Sequence, residues 1–290
     1  MFPVLKYETP YNMFWLVASE LVYKLAITYR WVSGKRYRVT LSELARIIFL
    51  TNRCSLGSSQ IRKVLESGDC LKIYLDTYSN PFHFRKKNYW TMLYILGENF
   101  SPISWHYYET PQTPISKNDI VADCGAGIGT FTLSASKKAK KVYAIEPFGE
   151  SLQLLRLTFK NNKRVTILPI AVGAKTGKAY MGGEVFGGGL QNSPNGGSCV
   201  SVTTIDKLFY DQGKRITYLK ADLEGSEIEM LKGASKTIRE YKPKIAITTY
   251  HKKDDHIKIM NSLKKMNPSY NFSLRGIDWR HGNPIMLHAW

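Results

Sequence analysis

Three glycines alternate with other residues in the short segment DCGAGIGT, which lies between an apolar segment and a helix-like one. Gly125, Gly127 and Gly129 each follow the previous glycine by two positions. Glycines let a turn tighten and let a ligand approach the backbone, and an acidic residue ending the next strand binds ribose hydroxyls. Glu146 ends the next apolar segment, KVYAIE, 21 residues after Gly125. The spacing predicts a loop that binds a cofactor containing a nucleoside.

Two details of this loop indicate which cofactor it binds. A dinucleotide-binding loop reads G-x-G-x-x-G and places a pyrophosphate on the following helix. Here the last glycine is Gly129, and Thr130 stands where that pattern needs glycine. Asp123, two positions before the first glycine, would repel a pyrophosphate but suits the sulfonium and ammonium groups of S-adenosylmethionine. We therefore expect S-adenosylmethionine, with a nicotinamide dinucleotide as the alternative.

Two carboxylates and a histidine are the candidates for chemistry on an acceptor. Asp222 and Glu224 follow an apolar segment in ADLEGSE, and His251 directly follows KIAITTY. Methyl transfer to a hydroxyl needs a positioned oxygen and a base, and histidine has the most suitable ordinary pKa. We predict His251 as the base, with a packing role as its alternative, Glu224 as the second candidate, and Asp222 as an orienting group. Glu227 and Glu229 are expected to stabilise only the first turn of a helix.

Metal-binding patterns are not evident in the sequence. The four cysteines form no C-x-x-C pair and the six histidines form no H-E-x-x-H motif, so we expect reduced thiols and no structural zinc. Asp254, Asp255 and His256 lie near His251 but do not complete a ligand set. We predict no metal, with a divalent cation bound by carboxylates as the alternative.

The pattern of elements places these groups at one edge of a sheet. From about residue 118, short apolar segments alternate with helical ones, which is typical of a doubly wound α/β fold with a parallel sheet. The last two apolar segments are too close in sequence for a parallel crossover, so they predict an antiparallel hairpin at the edge. The predicted strands are 119–124, 141–146, 165–172, 216–223, 244–250, 270–277 and 284–290, and the predicted helices are 129–139, 149–162, 226–240 and 254–266.

The chain divides by pattern near residue 105. Residues 1–105 are predicted to form a mainly helical extension, and residues 106–290 the cofactor-binding domain. Within the extension, the sequence predicts helices over 40–50 and 58–69, the second ended by Gly68, and a strand over 71–76.

Two further segments have alternative interpretations. Residues 14–32 are long enough to span a membrane but contain three charged residues, so this helix is expected to pack on the catalytic domain or to lie at a membrane surface. Residues 182–199 are rich in glycine and predict a lid or acceptor loop, with a disordered surface insertion as the alternative.

Five motifs occur in an order that resembles the FkbM family of S-adenosylmethionine-dependent methyltransferases. They are DIVADCGAGIGTFTL, AIEP, VTTIDKL, KADLEGSEIEMLKGA and KIAITTYH, and the resemblance covers roughly residues 105–290. It implies a Rossmann-like class I methyltransferase fold with a seven-stranded, mostly parallel sheet, and methylation of a hydroxyl on a sugar, glycan or secondary metabolite. It also implies that Ile170 and Ala171 border the adenine and that Asp222 lies beside the transferred methyl group. The cofactor-binding residues so expected are Asp123, Gly125, Gly127, Gly129, Thr130, Glu146, Ile170, Ala171 and Asp222.

Composition limits the class of partner. The formal net charge of +18 favours anionic partners, and the hydrophobic fraction of 43% argues against a disordered chain. We expect a hydroxylated small molecule or glycan, phosphorylated, nucleotide-linked or lipid-linked. RNA is the alternative, but no N-P-P-Y-type segment accompanies Asp222, and carboxylates suit a hydroxyl better than a flipped base. A cytoplasmic location is expected, with peripheral contact at the inner membrane surface through residues 14–32 as the alternative.

Overall fold

The chain folds into two compact units. The first contains the chain up to residue 107 together with residues 275–285, and the second contains residues 108–274 and 286–290. The residues that the computed structural model describes are 10–50, 53–76, 78–181, 190–191 and 197–290. Most of the glycine-rich segment 182–199 therefore lies outside the described residues, and its role as a lid stays a prediction.

The first unit combines helices with a small antiparallel sheet, in which the central strand pairs with both others. Its described elements are α1 (Pro10–Val32), α2 (Leu41–Leu50), α3 (Arg53–Ser58), β1 (Ile61–Ser67), β2 (Cys70–Leu75), β3 (Phe82–Arg85) and α4 (Tyr89–Phe100).

Strand β1 corrects the prediction of a helix over residues 58–69. Ser67 pairs with Cys70, so Gly68 and the residue after it form a two-residue hairpin loop. Gly68 has φ +59°, which suits the first position of such a loop as well as the end of a helix. The hairpin is favoured because β2, predicted correctly, supplies a buried partner strand.

Helix α1 buries one face and exposes the other. Tyr23 and Ile27 lie in the hydrophobic cluster of the first unit. Leu21, Leu25 and Val32 point outward, and each is more than half exposed. Among the described residues, none of the helices combines the length and hydropathy that a membrane-spanning segment requires. Contact of residues 14–32 with a membrane surface stays a prediction.

The second unit is built on a seven-stranded sheet with the order β13-β14-β12-β11-β4-β5-β6. Its strands are β4 (Ile120–Cys124), β5 (Lys141–Ile145), β6 (Val165–Leu168), β11 (Tyr218–Ala221), β12 (Lys244–Thr248), β13 (Phe272–Arg275) and β14 (Met286–Ala289). Between β6 and β11, a second sheet contains β7 (Ala171–Val172), β8 (Gly177–Met181), β9 (Leu190–Gln191) and β10 (Ser198–Thr203). The helices are α5 (Thr130–Lys138), α6 (Gly149–Phe159), α7 (Ile205–Leu208), α8 (Glu227–Lys232), α9 (Ser235–Tyr241) and α10 (Asp255–Met266).

The seven-stranded sheet confirms the predicted fold class. Strands β12, β11, β4, β5 and β6 are parallel, and β14 pairs antiparallel with β12. Asn271 and Trp290 exchange two backbone hydrogen bonds, so β13 and β14 form the antiparallel edge. Apolar residues of β4, β11 and β12 are fully buried against the covering helices. The carboxyl ends of the parallel strands lie at one edge of the sheet, where ligands bind in such folds.

Two predicted elements are interrupted in the structure. Segment 165–172 was expected to be one strand, but it divides into β6 and β7, which belong to different sheets. Pro169 lies at the break, where it has no backbone N–H to donate to a ladder. The helix expected over 226–240 divides into α8 and α9 at Gly233, where a Cβ would lie 2.1 Å from the carbonyl oxygen of Gly173. Only glycine permits that close approach.

Candidate active site

The glycine loop connects β4 to α5. Glycine is needed at its three positions for different structural reasons. All three have positive φ: Gly125 +72°, Gly127 +53° and Gly129 +92°. A Cβ at Gly125 would lie 1.9 Å from the carbonyl oxygen of Asp222, and one at Gly129 would meet the Phe159 ring at 2.6 Å. At Gly127 a Cβ would meet no described residue within 4 Å. Gly125 and Gly129 therefore serve close packing, while Gly127 presents bare backbone to open space.

Glu146, directly after β5, stabilises this loop by hydrogen bonding to its backbone. Its Oε2 accepts a hydrogen bond from the Gly127 N–H at 2.8 Å, and its Oε1 accepts one from the Phe148 N–H at 2.8 Å. Burial raises the pKa of Glu146, and the two backbone hydrogen bonds offset only part of that shift. The predicted ribose-binding carboxylate thus also fixes the backbone conformation of the loop.

Asp123 is fully buried, and its carboxylate has two partners in the protein. Thr132 donates to its Oδ2 at 2.5 Å, and the Lys220 ammonium lies 3.0 Å from its Oδ1. Lys220 is its cross-strand neighbour in β11, which explains the pairing. Direct contact of Asp123 with the cofactor's ammonium group stays a prediction.

Lys220 is a functional candidate that the sequence reasoning missed. Its ammonium donates to the carbonyl of Gly125 at 2.6 Å and lies 5.2 Å from the centre of the Tyr108 ring. Burial lowers the pKa of Lys220, but Asp123 and Asp222 outweigh burial and raise it, so the side chain stays charged. The Lys220 ammonium thus links the start of the glycine loop, through the Gly125 carbonyl, to β11.

The remaining predicted cofactor residues lie near this loop or beyond β6. Thr130 is buried as the first residue of α5. Ile170 is partly buried against the main core. Ala171 is buried in the smaller sheet against Ala179 and Val202. The contacts of Ile170 and Ala171 with adenine stay predictions.

Asp222, Glu224 and His251 come together at the ends of β11 and β12. His251 Nε2 lies 3.6 Å from Asp222 Oδ1 and 3.4 Å from Glu224 Oε2. The His251 side chain is only 8% exposed, whereas that of Glu224 is 40% exposed. Glu224 has φ +51°, an unusual conformation for a residue other than glycine. The structure therefore joins the three residues that the sequence predicted for catalysis.

Glu227 is a second residue that the sequence reasoning missed. It is expected to stabilise only a helix end, yet its side chain is 1% exposed and its Oε1 lies 2.9 Å from His251 Nδ1. The same oxygen accepts a hydrogen bond from the Leu223 N–H at 2.9 Å. Glu227 therefore fixes the imidazole ring so that Nε2 faces Asp222 and Glu224.

The surrounding carboxylates control the charge of His251. Burial lowers its pKa, but the hydrogen bond with Glu227 and the charges of Asp222, Glu227 and Glu224 outweigh burial and raise the pKa to about 9. In the protein alone, the imidazole is therefore protonated at neutral pH. His251 as the base stays a prediction, and it requires the ring to lose that proton first.

Asp222 is held by two hydroxyl groups. Tyr108 donates to its Oδ2 at 2.8 Å, and Thr248 donates to its Oδ1 at 3.1 Å. In the same loop, the carbonyl of Gly225 accepts a hydrogen bond from the Lys252 ammonium. These contacts fix the loop after β11 in the orientation that directs Asp222 and Glu224 to His251.

Comparison with known proteins identifies the family. Residues 123–273 match the family described as the Methyltransferase FkbM domain. The matched residues make up more than half of the chain. The chain belongs to this family. Its membership confirms the predicted Rossmann-like methyltransferase fold and S-adenosylmethionine as the methyl donor. The residues present fit that cofactor, because the glycine loop offers open backbone at Gly127 beside the buried carboxylate of Glu146.

Similar proteins include two that are named as methyltransferases and a fibrillarin. The methyltransferase FkbM from Methylobacillus flagellatus is 24% identical with a TM-score of 0.50, over 71% of this chain and 56% of its own. The fibrillarin from Aeropyrum pernix, solved with natively bound S-adenosyl-L-methionine, is 9% identical with a TM-score of 0.42, over 79% and 99%. The tRNA (guanine(37)-N(1))-methyltransferase Trm5b of Methanocaldococcus jannaschii is 44% identical over 57 residues, which are 19% of this chain and 17% of that protein. The chain thus spans about half of the solved FkbM methyltransferase and a small part of this tRNA enzyme.

Proposed function

We propose that this chain is an S-adenosylmethionine-dependent O-methyltransferase that acts on a hydroxyl of an anionic sugar, glycan or related small molecule. The cluster of Asp222, Glu224 and His251 carries the proposal, because it adjoins the glycine loop at the ends of neighbouring strands. The backbones of Gly125 and Asp222 are in direct contact. A hydroxyl that reaches the cluster would therefore lie beside the methyl donor.

The cluster suits the removal of a hydroxyl proton. S-adenosylmethionine supplies, when bound, a methyl group on a positively charged sulfur. Transfer of that methyl carbon from sulfur to the acceptor oxygen would balance the loss of the hydroxyl proton, which a carboxylate of the cluster would accept. Glu224 fits this role at neutral pH because it is the most exposed of the three groups and because His251 is already protonated.

The anionic acceptor is proposed from charge. The chain carries a formal net charge of +18, and a surface with that excess attracts phosphorylated or other anionic molecules. The cluster itself is acidic, so the anionic group of the acceptor would lie away from the reacting hydroxyl.

RNA methylation is the second candidate. Two observations favour it: the same positive charge, and the local similarity of 57 residues to a protein named as a tRNA guanine methyltransferase. Against it, the atoms grouped at the strand ends are carboxylates and an imidazole, which suit a hydroxyl better than a flipped base.

A transfer assay distinguishes these candidates. The full chain is incubated with S-adenosylmethionine labelled in its methyl group and with pools of phosphorylated sugars, glycans, lipid-linked acceptors and RNA. We expect label in a hydroxylated small molecule or glycan, and a Glu224→Gln variant that is slower by about a hundredfold or more. The matched control is Glu229→Gln, an exposed glutamate that pairs with Lys232 on α8 and should keep full turnover. Label only in RNA bases would replace this proposal with the second candidate.

A further inference from the structure

We propose that Asp222, Glu224 and His251 form a binding site for a divalent first-row transition metal ion. The inference deepens the proposed function, since the cation would hold the acceptor oxygen at the same cluster. Only that role rests on the proposed function. Binding of the cation rests on the geometry of the three side chains.

The distances within the cluster fit a shared cation better than hydrogen bonds. Metal-to-ligand bonds of about 2.0–2.2 Å place neighbouring ligand atoms about 3.0–3.5 Å apart. Here Nε2 of His251 lies 3.4 Å from Glu224 Oε2 and 3.6 Å from Asp222 Oδ1, and the three ligand atoms all lie within 4.8 Å of one another. Hydrogen bonds of this kind are shorter, at about 2.7–3.2 Å. Glu224 is the most exposed ligand and can move the small distance that closes the site.

The ring nitrogen of His251 supplies an independent observation. Nε2 is buried in a side chain that is 8% exposed, and it makes no hydrogen bond with any described residue. A buried polar atom normally has a partner, because leaving it without one costs about 1–3 kcal/mol. Nε2 is directed between the two carboxylates, which is the position a ligand atom needs.

The groups behind the cluster match those that support metal ligands. A metal-binding histidine usually donates its other ring N–H to a carboxylate, and Glu227 accepts from His251 Nδ1 at 2.9 Å. Ligating carboxylates are in turn hydrogen-bonded, as Asp222 is by Tyr108. This arrangement fixes the ring orientation and makes Nε2 the available ligand atom.

The ligand set indicates which cation and which acceptor the site would take. One imidazole with two carboxylates suits Mn²⁺, Fe²⁺ or Zn²⁺. Three protein ligands leave positions open for oxygen atoms of an acceptor, and two neighbouring hydroxyls could occupy them together. In this arrangement His251 is a ligand rather than a base, so the cation replaces the proton on Nε2. Glu224 binds through Oε2, and its second oxygen stays available for the hydroxyl proton.

Titration with Mn²⁺ alone tests the site without any acceptor. The full chain, treated with a chelator and dialysed, is titrated with Mn²⁺ by calorimetry and by electron paramagnetic resonance of the free ion. We expect one Mn²⁺ per chain in the wild type, and affinity at least tenfold lower in Glu224→Gln and His251→Gln. Glu229→Gln and His281→Gln, both at exposed residues, are the matched controls and should bind as the wild type does.

Each outcome decides the inference. Loss of binding in both cluster variants but in neither control would support it. Absence of Mn²⁺ binding by the wild type, or equal binding by all variants, would overturn it. Since Glu224 is exposed, its variant should fold even if His251→Gln does not, and circular dichroism checks this. A chelated protein that methylates a hydroxyl at an unchanged rate would refute the cation's role in holding the acceptor but keep the proposed function. A protein that binds Mn²⁺ at the cluster but methylates no hydroxyl would keep the site and refute the function.

Discussion

Alanine substitutions at Gly125 and Gly127 test how the glycine loop is built. Both glycines have positive φ, so a Cβ costs about 1–2 kcal/mol of backbone strain at either position. At Gly127 that strain is the whole cost, because a Cβ would meet no described residue within 4 Å. At Gly125 the Cβ would lie 1.9 Å from the Asp222 carbonyl oxygen, about 1.5 Å closer than the 3.4 Å at which ordinary contact begins. Separating the two backbones adds about 1–3 kcal/mol.

Gly125→Ala should therefore lose more stability than Gly127→Ala, whereas Gly127→Ala should lose cofactor affinity. Urea unfolding should show a loss of about 1–2 kcal/mol for Gly127→Ala and about 2–5 kcal/mol for Gly125→Ala, by adding the strain and separation costs. Calorimetry should show that Gly127→Ala nevertheless binds S-adenosylmethionine at least tenfold more weakly, because its methyl group occupies the open side of the loop. Equal destabilisation by the two substitutions, or unchanged cofactor affinity in Gly127→Ala, would refute this account of the loop.

Two further predictions concern buried charges of the second unit. Burial raises the pKa of Asp119, but hydrogen bonds from Lys244 and its other partners lower it overall, so its stabilisation is present above about pH 3.9 and is lost as the pH falls through the folded-state value. Asp119→Asn should thus reduce the free energy of unfolding by about 1–3 kcal/mol at pH 7 and by progressively less as the pH falls below about 3.9, as measured by urea unfolding over that range; a loss that stays constant with pH would contradict the linkage. Lys220→Met should leave the buried carboxylate of Asp123 without its cation and cost about 3–5 kcal/mol, and adding Asp123→Asn should recover part of that loss. Additive losses in the double variant would show that the two side chains do not act as a pair.

The sheet of the second unit could be predicted from the sequence because its strands are short apolar segments between clear helix and turn signals. The glycine loop, Glu146 and the carboxyl ends of β11 and β12 followed from the same alternation, since parallel strands place their ends at one edge. The break between β6 and β7 was missed because periodicity does not show which sheet a residue joins. The hairpin at Gly68 was missed because the same glycine can end a helix or begin a turn.

The roles of Glu227 and Lys220, which support the site, could not be predicted from the local sequence pattern. Glu227 follows Glu224 by three residues and resembles an ordinary residue of a first helical turn, and only the return of β12 beside β11 brings His251 to it. The sequence did contain an indication for Lys220, because a lysine buried within an apolar central strand needs an oppositely charged partner. That indication becomes specific only through the register that places Lys220 beside Asp123.

The position of the transferred methyl group tests the central claim most directly. The full chain is supplied with S-adenosylmethionine carrying ¹³C in the methyl group and with the acceptor pool that becomes labelled, and the product is examined by mass spectrometry and ¹³C NMR. We predict a single new methyl group on a hydroxyl oxygen, formed by the wild type and by Glu229→Gln but not by Glu224→Gln. A methyl group on a base nitrogen or carbon, or an undiminished yield from Glu224→Gln, would contradict the claim.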